Sequence, residues 1–112
     1  MRAGKITDVK EEYVSEEGAK STYIRWLITE KDGAPHFAMR RFRVEKGGYT
    51  PFHKHSHEHE AYVLSGRGVA RVGNEEVPLE KDRFVFVPPN VPHQFLNKGE
   101  EDLIFLCIIP IK

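Results

Sequence analysis

The sequence predicts an all-β fold, a small barrel or jelly-roll sandwich, and three observations carry that expectation. No segment keeps an amphipathic helical period for the length a helix needs. Instead, about ten short runs of strand formers follow one another between Gly, Pro and Asn turns. The 112 residues suffice for one core, so residues 1–112 are expected to form one domain. Closing so many strands on themselves buries one face of each and leaves few open edges.

Taken in order, Ile6 to Val9 alternate apolar and polar as a first short strand, followed by a charged turn at Glu16-Glu17-Gly18. Ser21 to Thr29 holds Tyr23, Ile24, Trp26, Leu27 and Ile28, all strand formers, and Glu30 to Pro35 ends it as turn and loop. A third strand runs from His36 to Glu45. One parity of it reads Ala38, Arg40, Phe42, Val44, with Arg40 breaking an apolar face. Lys46-Gly47-Gly48 reads as a tight turn into a histidine run, and Ala61 to Leu64 continue that run as a buried strand.

Gly68 to Val72 and Glu75 to Leu79 flank Gly73-Asn74, residues that accept positive φ, which makes this the clearest hairpin signal. Phe84 to Val87 is an apolar strand stopped by Pro88-Pro89-Asn90, His93 to Leu96 forms another, and Asp102 to Ile109 closes the chain. Phe105, Cys107 and Ile109 share one face of that last strand, and Ile104, Leu106 and Ile108 the other. Both faces therefore need cover, from the cavity on one side and from a second sheet or a dimer partner on the other. No internal repeat or low-complexity segment is present.

Seventeen basic and seventeen acidic residues cancel, with no long block of either sign, so no nucleic-acid footprint is expected. Cys107 is the single cysteine, which excludes an intrachain disulfide and fits a reducing cytosol. Met1 to Lys5 carries no apolar signal core and no apolar run approaches the roughly 20 residues of a membrane span, so a cytoplasmic protein is expected.

His53-Lys54-His55-Ser56-His57-Glu58-His59 places four of the six histidines at every second position. On an extended strand such residues line one face, where a metal ion would hold them. His57 competes with His59 as a ligand at this level, since a straight strand would put it on the same face as His55.

Two motifs extend this pattern. Gly47, His53-Lys54-His55, His59 and Gly66 are separated by five, three and six residues, and Asp82, Pro88, Asn90, His93 and Asn97 follow. The first, over residues 47–66, resembles the Gly-x5-His-x-His-x3-Glu-x6-Gly motif of the cupins. The second, over 82–97, resembles their Gly-x5-Pro-x-Gly-x2-His-x3-Asn motif. More narrowly, Met39-Arg40, His59-Glu60 and Phe105-Leu106-Cys107 are similar to small single-domain cupins with an all-histidine manganese site. The resemblance implies a double-stranded β-helix, that is, a cupin jelly-roll barrel, with a metal inside it and commonly a homodimer. It also implies His53, His55 and His93 as ligands, with His59 in the place of the usual glutamate and the chain bulging so that His57 sits near the pocket mouth. Asp82 and Asn90 replace motif glycines, and both residue types tolerate the left-handed conformation.

Four neutral imidazoles leave up to two positions open on a six-coordinate ion and keep a net +2 charge around it. They suit Zn(II), Fe(II) or Ni(II), and the resemblance favours Mn(II). Arg40 either bonds a buried carboxylate or faces the cavity to hold an anion. Cys107 is either a cavity residue or a buried inert thiol, His57 a bystander or proton carrier. Glu60 should point away from the metal, and His36 lies off both motifs. The expected function is a metal-dependent oxygenase or lyase, such as a Mn- or Fe-dependent dioxygenase or decarboxylase, acting on a small carboxylate, enol or phenolic substrate. The alternative is a non-catalytic cupin that senses or stores a small ligand or metal. The partner in either case is a small, anionic molecule, with neither nucleic acid nor membrane involved.

Overall fold

The computed structural model describes residues 1–111. Nine strands carry the fold: β1 (Glu12–Tyr13), β2 (Lys20–Ile28), β3 (Phe37–Tyr49), β4 (His59–Ser65), β5 (Gly68–Val72), β6 (Glu75–Leu79), β7 (Phe84–Val87), β8 (His93–Asn97) and β9 (Leu103–Pro110). All pair antiparallel, in the order β6-β5-β8-β3-β9-β4-β7, with β2 on the free side of β3 and β1 beyond it. β3 belongs to both halves of the barrel. Its first part pairs with β9 from Phe37↔Pro110 to Val44↔Leu103, and its end reaches β8 through Tyr49↔Leu96.

The bend between those parts falls on Lys46-Gly47-Gly48, which therefore lies inside a long strand and is not the tight turn the sequence suggests. Gly47 sits at φ 78°, in the left-handed region that glycine enters freely. Gly48 packs so close to β2 that a Cβ there would collide with the Lys20 carbonyl. The bend lets one strand wrap from one sheet into the next, as a bulge does.

Ile6 to Val9 is also different from expectation. Ile6–Asp8 is a 3-10 turn, because the Lys5 backbone N–H donates to Asp8 Oδ2 at 2.9 Å and so offers the backbone an alternative to a ladder. Arg25 Nη1 then ties this segment down by donating to the carbonyls of Ile6 and Val9 at 2.7 and 2.9 Å. The segment lines a groove with Leu27, Met39, Leu64 and Leu106, on the outer side of β9 where a second sheet or a partner was expected. The Glu30–Asp32 stretch is a 3-10 turn ended by Gly33 in the left-handed conformation. Gly73 has φ 61°, while Asn74 does not take positive φ. Asp82 and Asn90, standing at motif glycine positions, do so at 70° and 65°.

The core forms because alternate residues of facing strands meet inside. Val44, Val63, Val87, Leu103 and Phe105 are buried there with Phe95 and Leu79. Phe105 stacks between Phe42 and Phe95, at ring-centroid distances of 5.2 and 4.6 Å. Asn97 closes one end, its Nδ2 donating to the carbonyls of Val44 and Glu101 at 2.8 Å each. No helix among the described residues is long and apolar enough to cross a membrane.

Candidate metal centre

The histidine run is not one strand. His53 makes an isolated bridge to His93, residues 54–58 form a loop with a bend, and His59 opens β4. The bridge is reciprocal: His53 N donates to the His93 carbonyl at 3.2 Å and His93 N donates to that of His53 at 2.9 Å. Two distant parts of the sequence are thus locked side by side before any side chain is considered.

The imidazoles converge on a cavity of about 400 Å³. His53, His55 and His93 each offer a ring nitrogen within 4.8 Å of the other two, and the Nε2 atoms of His53 and His55 are 3.2 Å apart. His59 adjoins this triple, its ring centroid 4.7 Å from that of His93 and 5.2 Å from that of His55. His57 lines the same cavity, half-buried, with its ring parallel to His55 at 5.0 Å. Glu60 is exposed on the outer face, paired in register with Phe86 and Ile108. His36 stacks on Phe37, away from the cluster.

The outer nitrogens of His53, His93 and His59 are already engaged. His53 Nδ1 donates to Glu16 Oε2 at 3.1 Å, and His93 Nδ1 donates to the Val91 carbonyl at 2.9 Å. Each bond fixes the tautomer that leaves Nε2 with a free lone pair. His59 Nδ1 lies 3.5 Å from Cys107 Sγ and 3.4 Å from Arg40 Nη2, and its Nε2 is buried without a partner. The arrangement that strands no buried donor puts the proton on Nδ1, toward sulfur, and leaves the Nε2 lone pair open.

Electrostatics agree with neutral rings. Burial, reinforced by the neighbouring histidines and Arg40, pushes His59 down to about 3. Burial likewise lowers His55 and His93, the Val91 carbonyl partly opposing this for His93. Neutral imidazoles with pinned outer nitrogens, converging inner ones and one orphaned lone pair form a donor set that fits a divalent cation.

The rest of the cavity follows from strand register. Trp26, Arg40, Cys107 and Ala61 stand in one row across β2, β3, β9 and β4, and Ile24, Phe42, Phe105 and Val63 in the next. Arg40 therefore faces inward, donating from Nη2 to Cys107 Sγ at 3.0 Å, and no carboxylate bonds it among the described residues. Cys107 is 2% exposed, and burial raises its thiol above the usual range despite Arg40. The sequence reading missed Glu16. By sequence that residue stands in a charged turn, and nothing local marks a carboxylate that meets a histidine 37 positions away.

An antiparallel barrel enclosing a cluster of histidines that could hold a metal ion defines the class of small β-barrel protein. A cupin-domain family model matches residues 40–109, and the chain belongs to the cupin family. The polyketide cyclase RemF from Streptomyces resistomycificus has a similar structure, with TM-score 0.92 and 36% identity over 100% of this chain and 80% of that one. Among curated relatives, 1-methylthio-D-xylulose 5-phosphate methylsulfurylase from Rhodospirillum rubrum is 35% identical over 71 residues, 63% of this chain and 46% of that protein. An oxalate-binding protein from Thermotoga maritima is 33% identical over 70 residues, 62% of this chain and 58% of that one. The chain spans about half the length of the curated relatives it matches.

Proposed function

We propose that the protein is a metal-dependent enzyme, of the lyase or oxygenase kind, acting on a small carboxylate, enol or phenolic substrate. His53, His55, His59 and His93 would hold the ion, with Mn(II) favoured and Fe(II), Ni(II) or Zn(II) compatible with imidazole donors. One observation carries the reading: converging, outwardly pinned imidazoles close one end of a cavity whose other walls are largely apolar. When bound, the ion supplies Lewis acidity to a substrate oxygen. The cavity volume of about 400 Å³ lies in the range of small-molecule sites.

The chain's own residues do the rest. Phe42, Phe95, Phe105 and Trp26 exclude water from a flat substrate. Glu16 and His57, at the same end as the ligands, are the groups positioned to take up or deliver a proton. The likeness to a polyketide cyclase supports chemistry on an enolisable carbonyl, and that to an oxalate-binding protein supports the second reading, ligand binding without turnover. Phe84, Phe86 and Tyr62 are exposed side by side on β7 and β4, Phe84 by 78%, which supports a homodimer.

The test is metal analysis of protein purified without a histidine tag, then assays for decarboxylation, oxygen consumption and cyclisation on oxalate, phenolic acids and 1,3-diketones. Stoichiometric metal with turnover is expected. Metal-replete protein that binds these compounds and turns over none would establish the binding reading instead. Unchanged metal content in His53→Ala and His93→Ala would sink the site.

A further inference from the structure

Arg40 carries a charge that no carboxylate among the described residues pairs with. Its guanidinium lines the cavity, its Nε is buried and unpartnered, and the acceptor it does meet is the neutral thiol sulfur of Cys107, with the neutral His59 ring beside it. Other arginines of the same sheet are treated differently. Arg43 forms two 2.9 Å hydrogen bonds with Glu11 and a 3.1 Å contact with Asp102, and Arg25 pairs with Glu11 at 3.6 Å. A desolvated guanidinium has five donors in a planar fork suited to a carboxylate, and leaving it unpaired is costly.

The surroundings narrow the ligand further. Trp26 and Phe42 flank the guanidinium, with ring centroids 5.7 and 5.0 Å from its carbon. These aromatic faces stabilise the cation and leave flat apolar walls on either side of it. Among the described lining residues no lysine joins Arg40, so the subsite offers one fork and lacks the several cations that a phosphate dianion draws on.

We infer that Arg40, Trp26 and Phe42 form a carboxylate subsite that is independent of the metal and selects a flat, unsaturated carboxylic acid. The inference deepens the proposed function, on which it rests for the second oxygen of the same ligand, directed to the histidine end. Recognition is then two-poled: Arg40 takes the carboxylate, and the metal end takes an enol or phenol oxygen. Arg40 also bonds Cys107, so bound carboxylate and thiol sulfur share one guanidinium.

The test uses the full chain stripped of metal with a chelator, at pH 8, so that the subsite is read without the ion. Salicylate and its neutral isostere salicylamide are titrated by calorimetry. Trp26 is the only tryptophan, so its single indole N–H signal in an NMR spectrum reports on the subsite. Salicylate is expected to bind at least about tenfold tighter than salicylamide, as a charged hydrogen-bonded pair warrants, and to shift the Trp26 signal. Arg40→Gln should erase that preference, while Arg40→Lys, which keeps charge without the fork, should retain part of it. The spectrum also verifies that each variant is folded. Equal binding of the two probes, a preference surviving in folded Arg40→Gln, or inorganic phosphate competing as well as salicylate would each overturn the inference. A native protein without metal would overturn the metal reading and leave this result untouched.

Discussion

Replacing Glu16 by Gln isolates what a carboxylate behind a histidine does. Glu16 accepts the Nδ1–H of His53 at 3.1 Å, and Gln can accept the same bond without the charge. A carboxylate in that position makes the imidazole a stronger donor, and losing such an outer partner typically costs about 10–100-fold in metal affinity. Two facts put Glu16→Gln at the low end. The Glu16 side chain is 56% exposed, so water screens its charge, and His93 and His59 keep their own outer partners. The expected loss is about tenfold, or about 1.4 kcal/mol. Glu16→Ala, which also frees the ring to rotate, should lose more. The assay is competition with a chromogenic chelator for Mn(II) or Zn(II), at low and high salt, since the charge component weakens with ionic strength. Equal affinity in folded wild type and Glu16→Gln at low salt would refute the view that the charge acts on the site.

Acid should destabilise the metal-free fold. His59, His55 and His93 have folded values below the ordinary 6.5, so the unfolded chain binds protons that the folded one refuses. Their contribution is complete above about pH 6.5 and declines as pH falls, by up to about 1.4 kcal/mol per pH unit for His59 and His93 and by less for the more exposed His55, which solvent screens; chemical denaturation between pH 7 and 4.5 measures it. A flat profile over that window would contradict burial of neutral rings. Phe105→Ala removes the ring stacked between Phe42 and Phe95, at a cost of about 3–5 kcal/mol. At about 4 °C per kcal/mol for a chain of this size, Tm should fall by roughly 12–20 °C, as calorimetry would record. Asn90→Ala should cost about 1 kcal/mol for its left-handed backbone at φ 65°, and Asn90→Gly distinctly less, measured by urea denaturation.

The strands that could be read from sequence are those whose signals are local. β7 and the β5–β6 hairpin lie where apolar runs and turn residues place them, because Pro88 and Gly73 punctuate the chain without help from distant residues. The misread segments depend on remote partners. Gly47-Gly48 looks like a turn until β2 packs against it, and Ile6 to Val9 alternate like a strand with no neighbour to pair. The site divides in the same way. The histidine spacing marks the cluster, and left-handed Asp82 and Asn90 fit their motif positions. The contacts of Arg40 with Cys107, and of Glu16 with His53, arise from a cross-strand register and a folded-over turn, which link residues 67 and 37 positions apart. No window of sequence contains them.

The reciprocal backbone bridge between His53 and His93 bears on how the barrel discriminates among ions. With both chains pinned to one another, the spacing of two imidazoles belongs to the ladder, and an arriving cation has little freedom to draw them in or push them apart. His55 and His57, on the intervening loop, can yield. In the proposed ligand set, His53, His93 and the strand-borne His59 then act as a gauge of ionic radius and His55 as an adaptable clasp, so exchanging ions of similar size should require no rearrangement of the barrel.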